Sequence, residues 1–165
     1  MGKEQANNPA RDFANEGGHD DHKWLSGAGI MDAVYGPGFS TCLPAHDRDP
    51  WLLDTVEHLF ADIWSRPGLS IRDRRLLVLG ATAAIGREDL IRIQARGGLA
   101  NEEFTTEQLN ETVLHLAYYV GWGNTSALAN GIRGALADHQ ASASTNANPD
   151  PATDEEFSDD ERKHR

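Results

Sequence analysis

Apolar residues recur every three or four positions between residues 49 and 139, the spacing that places them along one face of a helix. The first such stretch begins at Asp49-Pro50, an N-cap residue followed by a proline suited to the first turn. It ends at Pro67-Gly68. Its apolar positions are Leu52, Leu53, Val56, Leu59, Phe60, Ile63 and Trp64. The pattern therefore predicts one helix between these two prolines.

Four more helices are predicted from their end signals. Ser70 to Asp73 resembles a capping box with aspartate in the glutamate position, and Thr105 to Gln108 offers a second cap. Gly121-Trp122-Gly123-Asn124 interrupts the pattern near its end. The predicted helices cover about residues 70–86, 87–101, 105–120 and 125–139. No segment alternates polar and apolar residues as a strand does, so the fold class is predicted to be all-α, with about five or six helices.

The ends of the chain differ in composition from the middle. Residues 1–25 are polar and contain Gly17-Gly18, and residues 140–165 contain one aromatic residue and no aliphatic residue larger than alanine. Such segments bury too little apolar surface to offset the entropy of ordering, so both are predicted to be disordered acidic tails. Residues 26–48 are rich in glycine and proline and predict an ordered but irregular arm. One helical domain over residues 26–139 follows.

Charge and hydropathy exclude several function classes. The net charge of −11 argues against nucleic acid as a partner, because phosphate binding requires a basic surface. No apolar run approaches the roughly 20 residues that span a bilayer, so no membrane association is predicted. The N-terminal residues lack the apolar core of a secretory signal, which predicts a cytoplasmic protein.

Metal and thiol chemistry have little support in the sequence. Cys42 is the only cysteine, which excludes a CxxC redox pair and a cysteine-based zinc site. The HDDH stretch at 19–22 has ligand-type side chains but lies in a polar segment with no helical frame. We therefore expect no metal site and no cofactor.

Two stretches carry a family resemblance. WSRPGLSIRDRRLLVLGATAAIGR (64–87) and LIRIQARGGLANEEFTTEQLNETVLHLAYYVGWG (90–123) resemble the carboxymuconolactone decarboxylase family, over roughly residues 25–138. The alignment needs one extra residue within ANEEFT. The resemblance implies a small all-helical protein that assembles into trimers or hexamers and takes part in aromatic compound catabolism. The implied reaction is loss of CO₂ from an unsaturated lactone acid without a cofactor.

The third helix departs from the family pattern at its catalytic position. The family usually has E-L-x-x-H-x-x-G-A-L there, and matching on R-G-x-L places the catalytic histidine at Gln94 and the glutamate at Leu90. A glutamine amide does not titrate, but it donates and accepts hydrogen bonds and so can hold a substrate carbonyl or carboxylate. Gly98, one turn on, makes room for a ligand. The alternative is that Gln94 bonds a neighbouring backbone group and the glycines serve helix packing.

Glu111, His115 and Tyr119 are four residues apart and lie along one face of the fourth helix. A carboxylate one turn before an imidazole can orient it and favour its charged form. These residues are predicted to supply the acid–base function that Gln94 lacks, with His115 as proton donor. The alternative is an interface or half-buried face whose polar groups are satisfied.

Further candidate substrate-binding residues are basic or aromatic. Arg66 and the Arg74-Arg75 pair are candidate carboxylate binders, since guanidinium matches a carboxylate with two parallel hydrogen bonds. Their alternative role is in surface ion pairs. Trp64, Tyr118 and Trp122 are candidates for an aromatic pocket, with core packing as the alternative.

The favoured hypothesis is an enzyme of carboxymuconolactone decarboxylase type that acts on a small organic acid or lactone. The predicted catalytic residues are His115, Glu111 and Gln94, and the predicted substrate-binding residues are Tyr119, Arg66, Trp64, Trp122 and Gly98. The alternative is a non-catalytic homo-oligomeric binding or scaffold protein, which the loss of both family acid–base residues supports. A peroxidase activity requires Cys42 to pair between subunits and ranks third.

Overall fold

The computed structural model describes residues 21–44 and 48–147, and side chains as far as residue 144. Its helices are α1 (Asp21–Tyr35), a short 3₁₀ turn (Phe39–Cys42), α2 (Pro50–Leu53, continued by a π-helical segment Asp54–Trp64), α3 (Ile71–Ala84), α4 (Glu88–Ala100), α5 (Thr106–Val120) and α6 (Trp122–Ala147). None of the residues just delimited lies in a strand, and the all-α prediction is confirmed. Over the same residues, no helix is both long and apolar enough to cross a membrane. The chain divides after Arg74 into two compact units.

Helix α1 corrects two predicted boundaries in the first unit. It begins at Asp21, so residues 21–25 are helical rather than part of a tail, and residues 26–35 are helical rather than an irregular arm. Its buried residues recur at helical spacing: Trp24, Gly27, Ala28, Met31 and Val34. The remainder of the predicted N-terminal tail, residues 1–20, lies outside the described residues.

Gly27 explains why a glycine-containing segment forms this helix. A Cβ atom at Gly27 would lie 2.8 Å from the carbonyl carbon of Val56 and closer still to its oxygen. The missing side chain therefore lets the backbones of α1 and α2 approach each other, and this contact offsets the low helix propensity of glycine. In the sequence the same residue is indistinguishable from a helix breaker.

Helix α2 begins as predicted and then widens. The Asp49 side chain accepts a hydrogen bond of 2.9 Å from the Leu52 backbone N–H, which confirms the predicted cap. From Asp54 onward the helix is π-helical, and its buried residues are Val56, Phe60 and Trp64. A spacing of four residues lies between the roughly 3.6 residues per turn of an α-helix and the wider turn of a π-helix. The apolar pattern therefore predicts a helix here without selecting its type.

The second unit packs one apolar cluster between α3, α4, α5 and α6. Its fully buried members include Leu79, Ile91, Leu109, Leu128 and Ile132. Thr105 and Gln108 form the predicted capping box at the start of α5, through bonds of 3.0 and 3.2 Å. The predicted cap is confirmed.

An ion pair also joins α4 to α6. Arg92 donates to both carboxylate oxygens of Asp138, over 2.9 and 2.6 Å, and this pairing holds the pKa of Asp138 below its ordinary value of 3.8. A carboxyl whose folded-state pKa is depressed stabilises the fold above its unfolded pKa. That contribution is lost as the pH falls through the lower folded-state value.

The boundary between α5 and α6 is shorter than predicted. Only Gly121, with φ of 82°, separates the two helices, and α6 begins at Trp122 rather than at residue 125. Asn124 donates to the terminal carbonyls of Ala84 and Val120, over 2.9 and 3.2 Å, and so satisfies the ends of two helices at once. Helix α6 also continues to Ala147, so residues 140–147 are helical rather than part of the predicted C-terminal tail. The rest of that predicted tail, residues 148–165, lies outside the described residues.

A glycine-to-alanine pair in α1 tests the close approach to α2. Gly27→Ala places a methyl group against the Val56 backbone, and we expect it to lower the free energy of unfolding by about 2–3 kcal/mol through overpacking. Gly29→Ala is the matched control, because nothing lies within 4 Å of its Cβ position. The control should raise stability by up to about 1 kcal/mol through helix propensity. Urea unfolding of both variants measures this, and equal effects would contradict the packing.

Candidate active site

Gln94 is buried on α4 with its side chain turned toward Arg75. Its amide oxygen accepts a 3.0 Å hydrogen bond from Nη1 of Arg75, and its backbone carbonyl accepts a 3.1 Å bond from the same nitrogen. Because guanidinium has only donors, the amide oxygen must face it, and the amide nitrogen faces the other way. The alternative for Gln94 was a bond to a neighbouring backbone group, whereas the partner of its side chain is Arg75 of α3.

Arg75 is fully buried, and its charge is paired with Glu103. Nε and Nη2 of Arg75 donate to the two carboxylate oxygens of Glu103, over 2.7 and 3.0 Å. Asn101 Nδ2 lies 3.3 Å from one of the same oxygens. An unpaired buried charge is strongly destabilising, so this two-bond geometry is what allows a guanidinium to lie inside the unit. We call Arg75, Gln94 and Glu103 the arginine cluster.

Glu103 lies in the loop between α4 and α5. Glu102 has φ of 55°, and it is the one non-glycine residue with positive φ in the part of the chain that the structure describes. The backbone N–H groups of Glu102 and Glu103 donate to the carbonyls of Leu99 and Gly98, over 3.1 and 2.8 Å. This is the loop in which the family alignment requires an extra residue. These two bonds and the positive φ of Glu102 form a Schellman motif that ends α4, and the next residue, Glu103, pairs with Arg75.

Gly98 is surrounded by the same cluster. A Cβ atom there would lie 2.6 Å from the Phe104 ring and 3.0 Å from Cδ of Arg75. The space beside Gly98 is thus filled by protein side chains, which fits the helix-packing interpretation. That Gly98 makes room for a ligand stays a prediction.

The three candidate residues of α5, Glu111, His115 and Tyr119, are all exposed to solvent. The rings of His115 and Tyr119 lie 5.0 Å apart, at 37° to each other, and Tyr119 is 75% exposed. In the part of the chain that the structure describes, no hydrogen bond joins His115 to Glu111 or to Gln94. The imidazole is accessible and lies beside a phenol, and that Glu111 orients it stays a prediction.

The remaining predicted substrate-binding residues differ from one another in exposure. In the first unit, Arg66 is exposed and its backbone carbonyl accepts a 2.9 Å bond from Arg74, while Trp64 is buried and stacks on Phe60 at 5.9 Å. Trp64 thus packs inside the first unit, and a substrate-binding role for it stays a prediction. In the second unit, Tyr118 is 80% exposed and Trp122 71% exposed, so core packing is wrong for both.

The described residues add no support for a metal site or a thiol site. The described parts of the chain contain no group of three or more His, Cys, Asp or Glu residues arranged to hold a metal ion. His19 and Asp20 of the HDDH stretch lie outside the described residues. Cys42 is exposed and unbonded at the end of the 3₁₀ turn.

Sequence reasoning missed Glu103 and the pairing within the cluster. Arg75 was a candidate carboxylate binder, and it does bind a carboxylate, but one from its own chain. The available signal was the extra residue in ANEEFT, beside a buried amide and an arginine pair. Gln94 and Glu103 lie 19 and 28 positions after Arg75, and a local sequence pattern does not predict contacts over such separations.

Comparison with known proteins gives two findings. The model of the carboxymuconolactone decarboxylase family matches residues 51–132. The 4-carboxymuconolactone decarboxylase of Acinetobacter baylyi is 37% identical over 62 residues, which are 38% of this chain and 46% of that protein. The chain thus matches about half the length of this curated relative.

A double-mutant cycle tests the arginine cluster. Glu103→Met leaves a fully buried guanidinium without its counter-charge, and we expect it to cost about 3–5 kcal/mol of unfolding free energy. Arg75→Met should cost less, because the Glu103 side chain retains 12% exposure and can recruit water. The double variant should be more stable than Glu103→Met alone. Additive losses in urea unfolding would show that the two side chains do not interact.

Proposed function

Because the chain belongs to the carboxymuconolactone decarboxylase family, we propose that it is a cofactor-independent enzyme of that type, acting on a small organic acid or lactone. The name of the relative, 4-carboxymuconolactone decarboxylase, supports this choice of chemistry. In such a reaction the bond to the leaving carboxylate breaks, CO₂ departs, and the electron pair moves into the unsaturated lactone as a dienolate. A protein group then protonates carbon.

His115 is the proposed proton donor. Gln94, at the family's histidine position, cannot titrate, and its oxygen is bonded to Arg75. The observation that carries the proposal is the exposed His115 ring lying 5.0 Å from Tyr119, because this places an accessible imidazole on a helix. Glu111 lies one turn earlier and is the proposed orienting carboxylate once substrate is bound.

The proposed substrate contacts follow from the same geometry. With its oxygen engaged, Gln94 offers only N–H donors, which suits a carbonyl or carboxylate oxygen of the substrate. Tyr119 and Trp122 are exposed aromatic groups near His115 in the sequence and supply apolar surface for an unsaturated ring. Arg66, Trp64 and Gly98 stay substrate-binding predictions from the sequence.

A second candidate function is binding without catalysis. The arginine cluster favours it, because a charge-neutral, mutually bonded group stands where the family has an acid–base residue. In that case the chain is an oligomeric small-molecule-binding or scaffold member of the family. Turnover distinguishes the two candidates.

We also propose that the chain forms a homo-oligomer, trimeric or hexameric as the family resemblance implies. Leu114 and Tyr118, one turn apart on α5, are 51% and 80% exposed, and neighbouring large apolar groups on a surface commonly mark an interface.

The assembly is tested by adding charge to this surface. Light scattering of the unaltered protein should give a trimer or hexamer at micromolar concentration. Tyr118→Lys should reduce the mass by placing an ammonium group in the interface. Asn110→Lys, which adds the same charge at an exposed polar position of α5, is the control and should not. A stable monomer in the unaltered protein contradicts the proposal.

The proton donor is tested by comparing two alanine variants. His115→Ala should lower kcat by roughly 10²–10⁴-fold, the usual effect of losing an acid–base group, with little change in KM. Gln94→Ala should mainly raise KM. The measurement is decarboxylation of carboxymuconolactone and related lactone acids across pH, and the pH dependence of kcat should flatten in His115→Ala.

Thermal melting supplies the control for this comparison. His115 is exposed, so its removal should leave the melting temperature nearly unchanged. Full activity in His115→Ala would assign the proton transfer to another group. Absence of turnover of every lactone acid by the unaltered protein would favour the binding function.

A further inference from the structure

The arginine cluster holds a carboxylate in a geometry that a ligand can share. We propose that Arg75 is a binding site for small carboxylates and that Glu103 is its internal occupant, which a ligand carboxylate displaces. The two-bond contact through Nε and Nη2, at 2.7 and 3.0 Å, is the arrangement by which arginine recognises carboxylate ligands in general. The proposal concerns binding and holds whether or not the chain catalyses a reaction.

The guanidinium keeps its orientation when Glu103 leaves. Its third nitrogen, Nη1, is bonded independently to both oxygens of Gln94, at 3.0 and 3.1 Å. The edge that faces Glu103 is therefore preorganised, and a ligand does not have to order it. Asn101 Nδ2, 3.3 Å from a Glu103 oxygen, offers a further donor to any carboxylate at the same place.

Glu103 is the member of the pair that can leave. Its side chain is 12% exposed whereas that of Arg75 is 0% exposed, so Glu103 is the member of the pair that reaches solvent. The loop backbone is held separately, by the 2.8 Å bond from the Glu103 N–H to the Gly98 carbonyl and by the buried ring of Phe104. Rotation of one side chain into water is enough to open the site, and the loop does not have to unfold.

Charge balance and size define the ligand class. Exchanging one carboxylate for another keeps the buried guanidinium paired, so the exchange avoids the cost of an isolated charge. Beyond its Cβ atom, the Glu103 side chain has the heavy atoms of an acetate ion. Contacts around Gly98 are already close on the Phe104 and Arg75 sides. The site therefore suits formate, acetate or the carboxyl end of a slender organic acid.

Removal of the internal occupant provides the first test. Glu103→Ala should lower the melting temperature by ~10 °C, because Arg75 loses its counter-charge. Sodium acetate at ~100 mM should recover at least half of that loss, while sodium chloride at the same ionic strength should not. Glu102→Ala removes the neighbouring carboxylate, and acetate and chloride should affect it equally. Equal effects of the two salts on Glu103→Ala would overturn the proposal.

Competition in the unaltered protein provides the second test. Acetate binding is followed through the ¹⁵N resonance of the Arg75 side-chain Nε–H, which reports the occupant directly. Glu103→Ala should bind acetate at least tenfold more tightly than the unaltered protein, since there acetate must compete with a tethered carboxylate. Absence of any shift in the unaltered protein up to ~0.5 M acetate would contradict displacement.

Two further variants keep the result interpretable. If Glu103→Ala does not fold alone, Glu103→Gln retains the shape of the side chain and takes its place; its acetate response should again exceed that of Glu102→Gln. Arg75→Met combined with Glu103→Ala should lose the acetate response altogether. An acetate-specific stabilisation that persists without Arg75 would place the carboxylate site elsewhere and overturn the assignment.

Discussion

The constraint that organises the second unit is the burial of a full positive charge at Arg75. A guanidinium with 0% exposure needs a carboxylate that accepts through both oxygens. Glu103, in the loop after α4, provides it. In that loop Glu102 has positive φ where α4 ends, and the next residue, Glu103, pairs with Arg75. The burial of Arg75 also restricts position 98, where any side chain would meet Phe104 or Arg75. The buried charge therefore constrains the loop after α4 and one residue of that helix.

The same constraint explains the amide at position 94. The residue there must accept from Arg75 without carrying a positive charge of its own, and a glutamine oxygen does so at 3.0 Å. A protonated imidazole in that place would face a permanent cation, which disfavours its charged form. A histidine at this position would therefore have its pKa lowered by Arg75, which disfavours proton donation. This is the physical ground for looking to His115, on an exposed helix face, for proton transfer.

The sequence predicted those features that depend on contacts between residues close together in the chain. The caps at Asp49 and Thr105 involve residues three positions apart, so their patterns carry the full information. Gly27 is different, because its role depends on the backbone of Val56, nearly thirty residues away. The burial of Gln94 was predictable from its aliphatic neighbours, whereas its bond to Arg75 and the ion pair with Glu103 were not. The exposure of Tyr118 and Trp122 was missed because an apolar residue on a surface has the same pattern as one in a core.

The departures that the sequence resemblance implies at positions 90 and 94 involve residues that contact the arginine cluster or belong to its helix. Gln94→His alone would set an imidazole against Arg75, two groups that both donate when the imidazole is charged. Removing Arg75 as well would relieve that conflict but leave Glu103 without its partner. Leu90, at the position of the family's glutamate, would still offer no carboxylate. A histidine at position 94 therefore affects Arg75 and Glu103 as well, because the three residues of the cluster are bonded through Arg75.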